Sequence, residues 1–164
     1  MSTTIPMTGT AAPSFDLPSS TGKKIKLADF AGKKIVVLYF YPKADTPGCT
    51  TEACAFRDAL ADYDRANVAV LGISPDPVGD VTKFSGKFHL NFPLLADADH
   101  AIAEKYGVWQ EKSMYGKKYM GVQRATFIIG PDGKIKHIFK KVKPQGHADE
   151  VLELVKGMAK PAAK

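Results

Sequence analysis

Residues 35–54 of the chain read IVVLYFYPKADTPGCTTEAC. The first seven of these residues are β-branched, aromatic or leucine and are too few for a buried helix, so they predict a central strand covered on both faces. Pro42 ends this strand. In the segment 50–66 the apolar residues recur with a helical period, and the hydroxyls and the acid at its start suit a first turn. We therefore expect Cys49 at or just inside the N-terminus of a helix, after a loop closed by Pro47-Gly48.

The predicted position of Cys49 favours the thiolate, which is the nucleophilic form of cysteine. Unpaired backbone N–H groups and the positive end of the helix dipole both stabilise a negatively charged sulfur. A lone cysteine more often packs as a small buried hydrophobe. However, Cys54 lies five residues further on, and the chain contains only these two cysteines. This pairing favours a reactive Cys49.

The spacing of the two cysteines limits what they can form together. Five residues of α-helix rotate about 500° and rise about 7.5 Å, so the two side chains point about 140° apart. Their Cα atoms then lie beyond the roughly 4.4–6.8 Å that a disulfide tolerates. A permanent disulfide is not expected within an intact helix. The spacing still allows a disulfide that forms when the first turns unwind.

A zinc site is not predicted, because the cysteine spacing is not Cys-x-x-Cys and the histidines lack zinc-binding spacing. The four histidines are His89, His100, His137 and His147.

Strand and helix signals alternate along the chain. The predicted strands cover residues 15–17, 24–27, 35–41, 68–74, 93–95, 126–129 and 134–139, and the predicted helices cover 50–66, 78–89, 100–106 and 147–158. This order predicts an α/β fold, a thioredoxin-like sandwich with a central mixed sheet flanked by helices and an N-terminal β-hairpin extension. We expect one domain over 1–164, with an ordered core of about 12–158 and a flexible tail over 159–164.

The composition limits the cellular compartments and the classes of protein that fit this chain. At 164 residues and 45% hydrophobic content, the chain can bury one substantial core. No apolar run approaches the roughly 18–20 residues of a membrane span, and the start lacks the pattern of a secretory signal. Two cysteines without an export signal fit a reducing compartment, so we expect the protein in the cytoplasm.

The motif around Cys49 resembles that of the peroxiredoxins, specifically the peroxiredoxin Q or bacterioferritin comigratory protein group. This family is marked by a proline, a hydroxyl residue four positions later and the peroxidatic cysteine three after that, which here are Pro42, Thr46 and Cys49. The family's resolving cysteine corresponds to Cys54. The stretch GVQRATFII is similar to the segment that supplies the family's arginine, here Arg124.

This resemblance extends from about Ala12 to Met158 and implies a thiol-dependent peroxidase that reduces hydrogen peroxide and organic hydroperoxides. It implies that Cys49 becomes a sulfenic acid, that Cys54 condenses with it to an intrachain disulfide, and that thioredoxin or a similar dithiol reopens that bond. It also implies a monomer that uses no metal, haem or flavin cofactor. Neither nucleic acid nor a membrane is an expected partner.

The chemistry of the residues agrees with this reading. Cleavage of a peroxide O–O bond needs a nucleophilic sulfur, a donor for the charge on the departing oxygen and a pocket that aligns the peroxide. Arg124 can supply a permanent positive charge, Thr46 can donate to or accept from the peroxide, and Pro42 has no N–H and can wall the sulfur from solvent. Considered alone, Arg124 would be interpreted as an exposed surface arginine and Thr46 as a turn residue. Their occurrence together with Cys49 favours an active site instead. Glu52 can pair with an arginine from the first turn of the helix.

Two other classes are weaker alternatives on the sequence. The net charge of +6 is compatible with a nucleic-acid-binding module. The lysine pairs are dispersed, without a zinc finger or an RNA-binding aromatic motif, which favours a solvated surface. A thiol:disulfide oxidoreductase on the same fold is disfavoured by the absence of Cys-x-x-Cys. The single tryptophan, Trp109, is expected to be a packing residue.

Overall fold

The computed structural model describes residues 5–159. The strands are β1 (Asp16–Pro18), β2 (Lys24–Lys26), β3 (Ile35–Phe40), β4 (Val68–Ser74), β5 (Leu94–Ala96), β6 (Trp109–Met114), β7 (Lys117–Val122), β8 (Ala125–Ile129) and β9 (Ile135–Phe139). The helices are α1 (Pro47–Arg65), α2 (Val78–Lys87), α3 (Ala101–Lys105) and α4 (His147–Ala159), and a 3₁₀ turn covers Leu27–Phe30. The predicted mixed α/β fold is confirmed.

The central sheet has five strands in the order β5-β4-β3-β8-β9. β3 and β4 pair in parallel, as do β4 and β5, whereas β8 runs antiparallel to both β3 and β9. All six residues of β3 are buried, as predicted for a central strand covered on both faces. β1 and β2 form a separate antiparallel hairpin, which confirms the predicted N-terminal extension.

Two apolar clusters fill the two sides of this sheet, because successive side chains of a strand point to opposite faces. Val37 and Tyr39 of β3 join the cluster covered by α1, α2 and α4. Leu38 joins the second cluster, which lies under α3. The hydroxyl of Tyr63 in α1 donates to the carbonyl of Ala148 in α4 at 2.6 Å, so these two helices are tied together on the same face.

Two features differ from the sequence prediction. α1 begins at Pro47, so Pro47-Gly48 belongs to the first turn and the predicted loop ending there was wrong. Proline is favoured at this position because its missing N–H would have no helical acceptor. The antiparallel pair β6 and β7 was not predicted. Its outer residues are exposed on both faces, so the sequence there lacks the alternation of apolar and polar residues that indicates a strand.

The structure also bears on the predictions for Trp109 and for the C-terminal tail. Trp109 is a packing residue, as expected: it packs against the second cluster, and its ring stacks on that of His100 at 3.9 Å. Of the predicted tail, Ala159 is the last residue of α4, and 160–164 lie outside the described residues. Within 5–159, no helix is both long and apolar enough to cross a bilayer.

Gly72 of β4 tests the packing between the sheet and α1. A Cβ atom at this position would lie 2.9 Å from Leu94 Cδ2 and 2.9 Å from Tyr39 Cζ. Gly72→Ala should therefore lower the free energy of unfolding by about 1–3 kcal/mol in urea titration, because the core must shift to admit the methyl group. Gly86→Ala in α2 is the control: nothing lies within 4 Å of its added Cβ. It should leave stability unchanged or raise it by up to about 1 kcal/mol. Equal stability of the two variants would contradict this packing.

Candidate active site

The candidate site lies at the carboxyl ends of β3 and β4, where a loop leads from β3 into α1. Hydrogen bonds hold this loop in place. The N–H of Ala44 donates to Asp76 Oδ2 at 2.7 Å, and the hydroxyl of Thr46 donates to the carbonyl of Lys43 at 2.9 Å. The loop therefore delivers the start of α1 to a defined place at the sheet edge.

Cys49 is the third residue of α1 and its surface is only 1% exposed. Thr46 is the N-cap of the helix, and its carbonyl accepts the N–H of Thr50 at 2.8 Å. Helix geometry leaves the N–H groups of Gly48 and Cys49 without an intrahelical acceptor, so positive partial charge is concentrated around this turn. The prediction that Cys49 lies just inside a helix N-terminus is confirmed.

Arg124 lies between β7 and β8 and meets Cys49 across the sheet edge. Phe40 pairs with Ala125 in the β3–β8 ladder, so one further step in register sets Arg124 at the level where β3 gives way to the loop. Its Nη2 donates to Cys49 Sγ at 3.4 Å, and its Nη1 donates to Glu52 Oε1 at 2.6 Å. The guanidinium thus bridges two side chains of the first turns of α1.

Glu52 is fully buried, which is unusual for a carboxyl group. Burial raises the pKa of Glu52 to about 7, and the charge and hydrogen bond of Arg124 act in the opposite direction. Its second oxygen, Oε2, has no hydrogen-bond partner among the described residues. The pairing of this acid with an arginine, expected from its position, is confirmed.

Two buried tyrosine hydroxyls lie near this ion pair. The hydroxyl of Tyr39 has no hydrogen-bond partner within residues 5–159, and the side chain of Ser74 lies near the hydroxyl of Tyr41. Burial raises the pKa of both phenols, so both stay protonated at neutral pH. Both tyrosines belong with Cys49 to the same buried cluster, so the sulfur lies against the core, where charge interactions are stronger than in water.

The other predicted site residues have separate positions. Pro42 is half-buried in the loop after β3, and Thr46 is the N-cap three residues before Cys49. Cys54 is half-buried on α1, and both cysteines are free thiols in an unbroken helix. The structure thus brings Arg124 to Cys49 and leaves Cys54 apart.

Gly48 and Pro144 were not found by sequence reasoning. A Cβ on Gly48 would lie 3.2 Å from Arg124 Nη2 and 3.4 Å from Pro144 Cγ. A side chain at this position would therefore crowd the guanidinium, which would have to shift by a few tenths of an ångström. The Pro-Gly pair directly before Cys49 was the available signal, but it was interpreted as the end of a loop.

His147 also lies close to the site, although the sequence analysis considered it only as a zinc ligand and did not predict that role. Its Nδ1 lies 2.7 Å from Glu150 Oε1, and its Nε2 shares a 2.7 Å hydrogen bond with the hydroxyl of Thr126, two residues after Arg124. Burial lowers the pKa of His147, so the neutral ring donates to the carboxylate and accepts from the hydroxyl. Among the described residues there is no group of three or more His, Cys, Asp and Glu suited to a metal ion.

The model of the AhpC/TSA family matches residues 8–138. The chain belongs to this family. Its relatives place it among the peroxiredoxins. Peroxiredoxin Bcp of Escherichia coli strain K12 is 48% identical over 148 residues, which are 90% of this chain and 94% of the relative. Peroxiredoxin Bcp of Bacillus subtilis strain 168 is 44% identical over 151 residues, 92% of this chain and 96% of the relative.

Solved structures give the same result. Peroxiredoxin Q of Xanthomonas campestris superposes with a TM-score of 0.84 at 42% identity, covering 89% of this chain and 92% of that one. A structure of the Xanthomonas campestris bacterioferritin comigratory protein, studied for its alkyl peroxide reduction activity, matches equally well, with TM-score, identity and coverage the same. The thioredoxin-like fold predicted from the sequence is thereby confirmed, and this peroxiredoxin is a thiol-dependent peroxidase.

The buried Glu52 predicts a specific dependence of stability on pH. With a native pKa near 7, above its ordinary value of 4.5, the folded protein binds a proton that the unfolded chain releases. The stability of the wild type relative to Glu52→Gln should therefore rise as the pH falls from about 8 to about 5, because the variant lacks this proton uptake but keeps the opposite contribution of His147, whose pKa is lowered by burial. Urea titrations across this pH range give the comparison. The control Glu153→Gln, on an exposed residue of α4, should follow the wild type. Parallel curves for wild type and Glu52→Gln would show that Arg124 keeps Glu52 ionised throughout.

Proposed function

We propose that this peroxiredoxin reduces hydrogen peroxide and organic hydroperoxides through a sulfenic acid on Cys49, which Cys54 resolves to an intrachain disulfide. The observation that carries the proposal is the 3.4 Å contact between Arg124 Nη2 and the buried Cys49 Sγ at the start of α1. A fixed cation and a helix N-terminus at one sulfur are the setting in which a cysteine is a strong nucleophile.

In the first step the Cys49 thiolate attacks one peroxide oxygen and the O–O bond breaks. The sulfur gains that oxygen as a sulfenic acid, and the second oxygen takes a proton and leaves as water or an alcohol. Arg124 stabilises the thiolate and the charge that develops on the departing oxygen. The Thr46 hydroxyl, which donates to the carbonyl of Lys43, keeps its lone pairs free to accept from the peroxide. Pro42 walls the sulfur from solvent.

In the second step the Cys54 thiol displaces water from the sulfenic acid and forms the disulfide. Within regular helix the two Cα atoms lie about 8–9 Å apart, beyond disulfide range, so the first turns of α1 must unwind. A helix end is the part that opens at least cost, which makes this step compatible with the fold.

In the third step a dithiol reductant of the thioredoxin class supplies two electrons by thiol–disulfide exchange and restores both thiols. The alkyl peroxide reduction activity studied in the Xanthomonas campestris relative supports organic hydroperoxides as substrates. Since both cysteines lie on one helix of one chain, we expect the protein to complete the cycle as a monomer. A cycle that returns both cysteines to thiols suits a reducing compartment, so we propose that the protein acts in the cytoplasm.

Single-turnover experiments should distinguish the roles of the two cysteines. Cys49→Ser should abolish peroxide consumption, because the nucleophile is lost. Cys54→Ser should still consume one equivalent of hydrogen peroxide and carry one sulfenic acid, detected by a dimedone adduct, but should lose thioredoxin-linked turnover. Equal single-turnover activity in the two variants would refute the assignment of roles.

Oxidation should loosen the start of α1 and nothing distant from it. Peroxide treatment should yield the Cys49–Cys54 bond in peptide mass spectrometry, and amide exchange should become faster over 49–59 and recover on reduction. Exchange in β3 should not change, since this strand lies in the centre of the sheet.

The matched control is oxidised Cys54→Ser, which cannot form the disulfide and should keep slow exchange over 49–59. Full exchange protection in the oxidised wild type, or a disulfide between chains, would contradict this mechanism. Either result would favour a cycle that uses an intermolecular disulfide or only one cysteine.

A further inference from the structure

The hairpin of β6 and β7, residues 109–122, projects from the fold as an arm. In the described part of the chain these two strands form a sheet of their own, joined by a turn at Tyr115-Gly116. Few large apolar side chains are exposed among residues 5–159, and three of them lie on this arm: Tyr115 is 98% exposed, Met120 48% and Tyr119 44%. Exposed aromatic side chains on one projecting element are typical of a contact surface.

The two faces of the β6–β7 arm differ in charge, because directly paired residues share a face and alternate residues do not. Lys112 pairs with Tyr119, so both lie on the face that also carries Lys117 and Gly121. A Cβ on Gly121 would lie 3.4 Å from Lys112 Cδ and 3.5 Å from Tyr119 Cε2, which shows that both side chains lie across this glycine. We call this the basic face of the arm, since it contains no acidic residue.

The opposite face is closer to neutral. Glu111 lies there, paired in register with Met120. Its carboxylate forms a 3.7 Å ion pair with Lys118. The arm therefore presents one face with uncompensated lysines and one with a matched pair of charges.

The basic face borders the active site. β7 ends at the buried Val122, and Arg124 follows two residues later, so the arm projects from the position of the site arginine. Lys112 is half-buried, and its pKa is lowered by burial and by the charge of Arg124, while the charge of Cys49 acts in the opposite direction. Lys112 and Tyr119 lean across Gly121 toward the base of the arm, whereas Lys117 lies at its tip beside the turn. A protein that contacts both Lys117 and Tyr119 would thus lie along the arm and reach the mouth of the site at its base.

We propose that the basic face of the β6–β7 arm docks the protein dithiol that reduces the Cys49–Cys54 disulfide, and that this reductant carries an acidic surface around its own thiols. The proposal rests on the peroxidase cycle proposed above, whose last step brings a dithiol protein of the thioredoxin class to the start of α1. The reductant's first thiolate attacks the disulfide, and its second thiol releases the mixed disulfide, so the partner leaves oxidised by two electrons. Lys117 attracts the acidic rim and Tyr119 supplies the apolar contact.

A pair of double variants tests this surface with matched chemistry. Lys117→Glu with Tyr119→Ser alters the basic face, and Lys118→Glu with Met120→Ser makes the equivalent change on the opposite face of the same strand. With a thioredoxin of net negative charge and its reductase, the first variant should lose about tenfold in kcat/KM for thioredoxin, and the second less than about twofold. The wild-type kcat/KM should fall with added salt, while that of the basic-face variant should respond less.

Two further measurements separate docking from chemistry. Single-turnover oxidation by hydrogen peroxide and steady-state turnover with dithiothreitol should be unchanged in both double variants, because neither needs the docked protein. If the wild type consumes no peroxide even with dithiothreitol, the peroxidase cycle itself is wrong and the docking proposal falls with it. If dithiothreitol turnover is normal but thioredoxin efficiency is the same in all three proteins, or falls equally in both variants, the docking surface alone is overturned. It is also overturned if sedimentation velocity shows that only the basic-face variant dissociates a dimer, since the arm would then bind a second copy of the chain.

Discussion

The guanidinium of Arg124 lies between the carboxylate of Glu52 and the sulfur of Cys49, and this bridge ties the start of β8 to the first turns of α1. A buried carboxylate is costly unless a cation pairs with it, and removing one partner of such a pair typically costs about 3–5 kcal/mol. Glu52 therefore holds Arg124 in one orientation. The planar guanidinium then directs a second N–H at the sulfur, which lysine, as a point charge, would not do.

The same helix has to hold Cys49 and, in the proposed cycle, release it. Packing along α1 is suited to both demands. The hydroxyl of Tyr63 donates to the carbonyl of Ala148 in α4, so the turns beyond residue 59 are anchored to the core. The first turn contains Gly48, and glycine is a weak helix former. Opening can therefore be confined to the start of the helix.

Much of this arrangement could be predicted from local patterns. The seven apolar residues before Pro42 determined a buried central strand, and the period of the following segment determined the helix and the place of Cys49 within its first turns. The angle between Cys49 and Cys54 follows from helix geometry alone. The β6–β7 arm could not be predicted in this way, because an exposed hairpin buries neither face and leaves no apolar alternation in the sequence.

The sequence by itself therefore determined the order of the elements other than the β6–β7 arm, the setting of the nucleophile and the family motif. Only the tertiary structure decided that Arg124 reaches Cys49 from 75 residues away, that Glu52 is buried against it, and that the basic face of the arm borders the site. The physical reason is that strand and helix periods are properties of neighbouring residues. Contacts across a sheet instead depend on which strands pair and in what register, and a shift of one residue in the β3–β8 register would turn Arg124 to the other face.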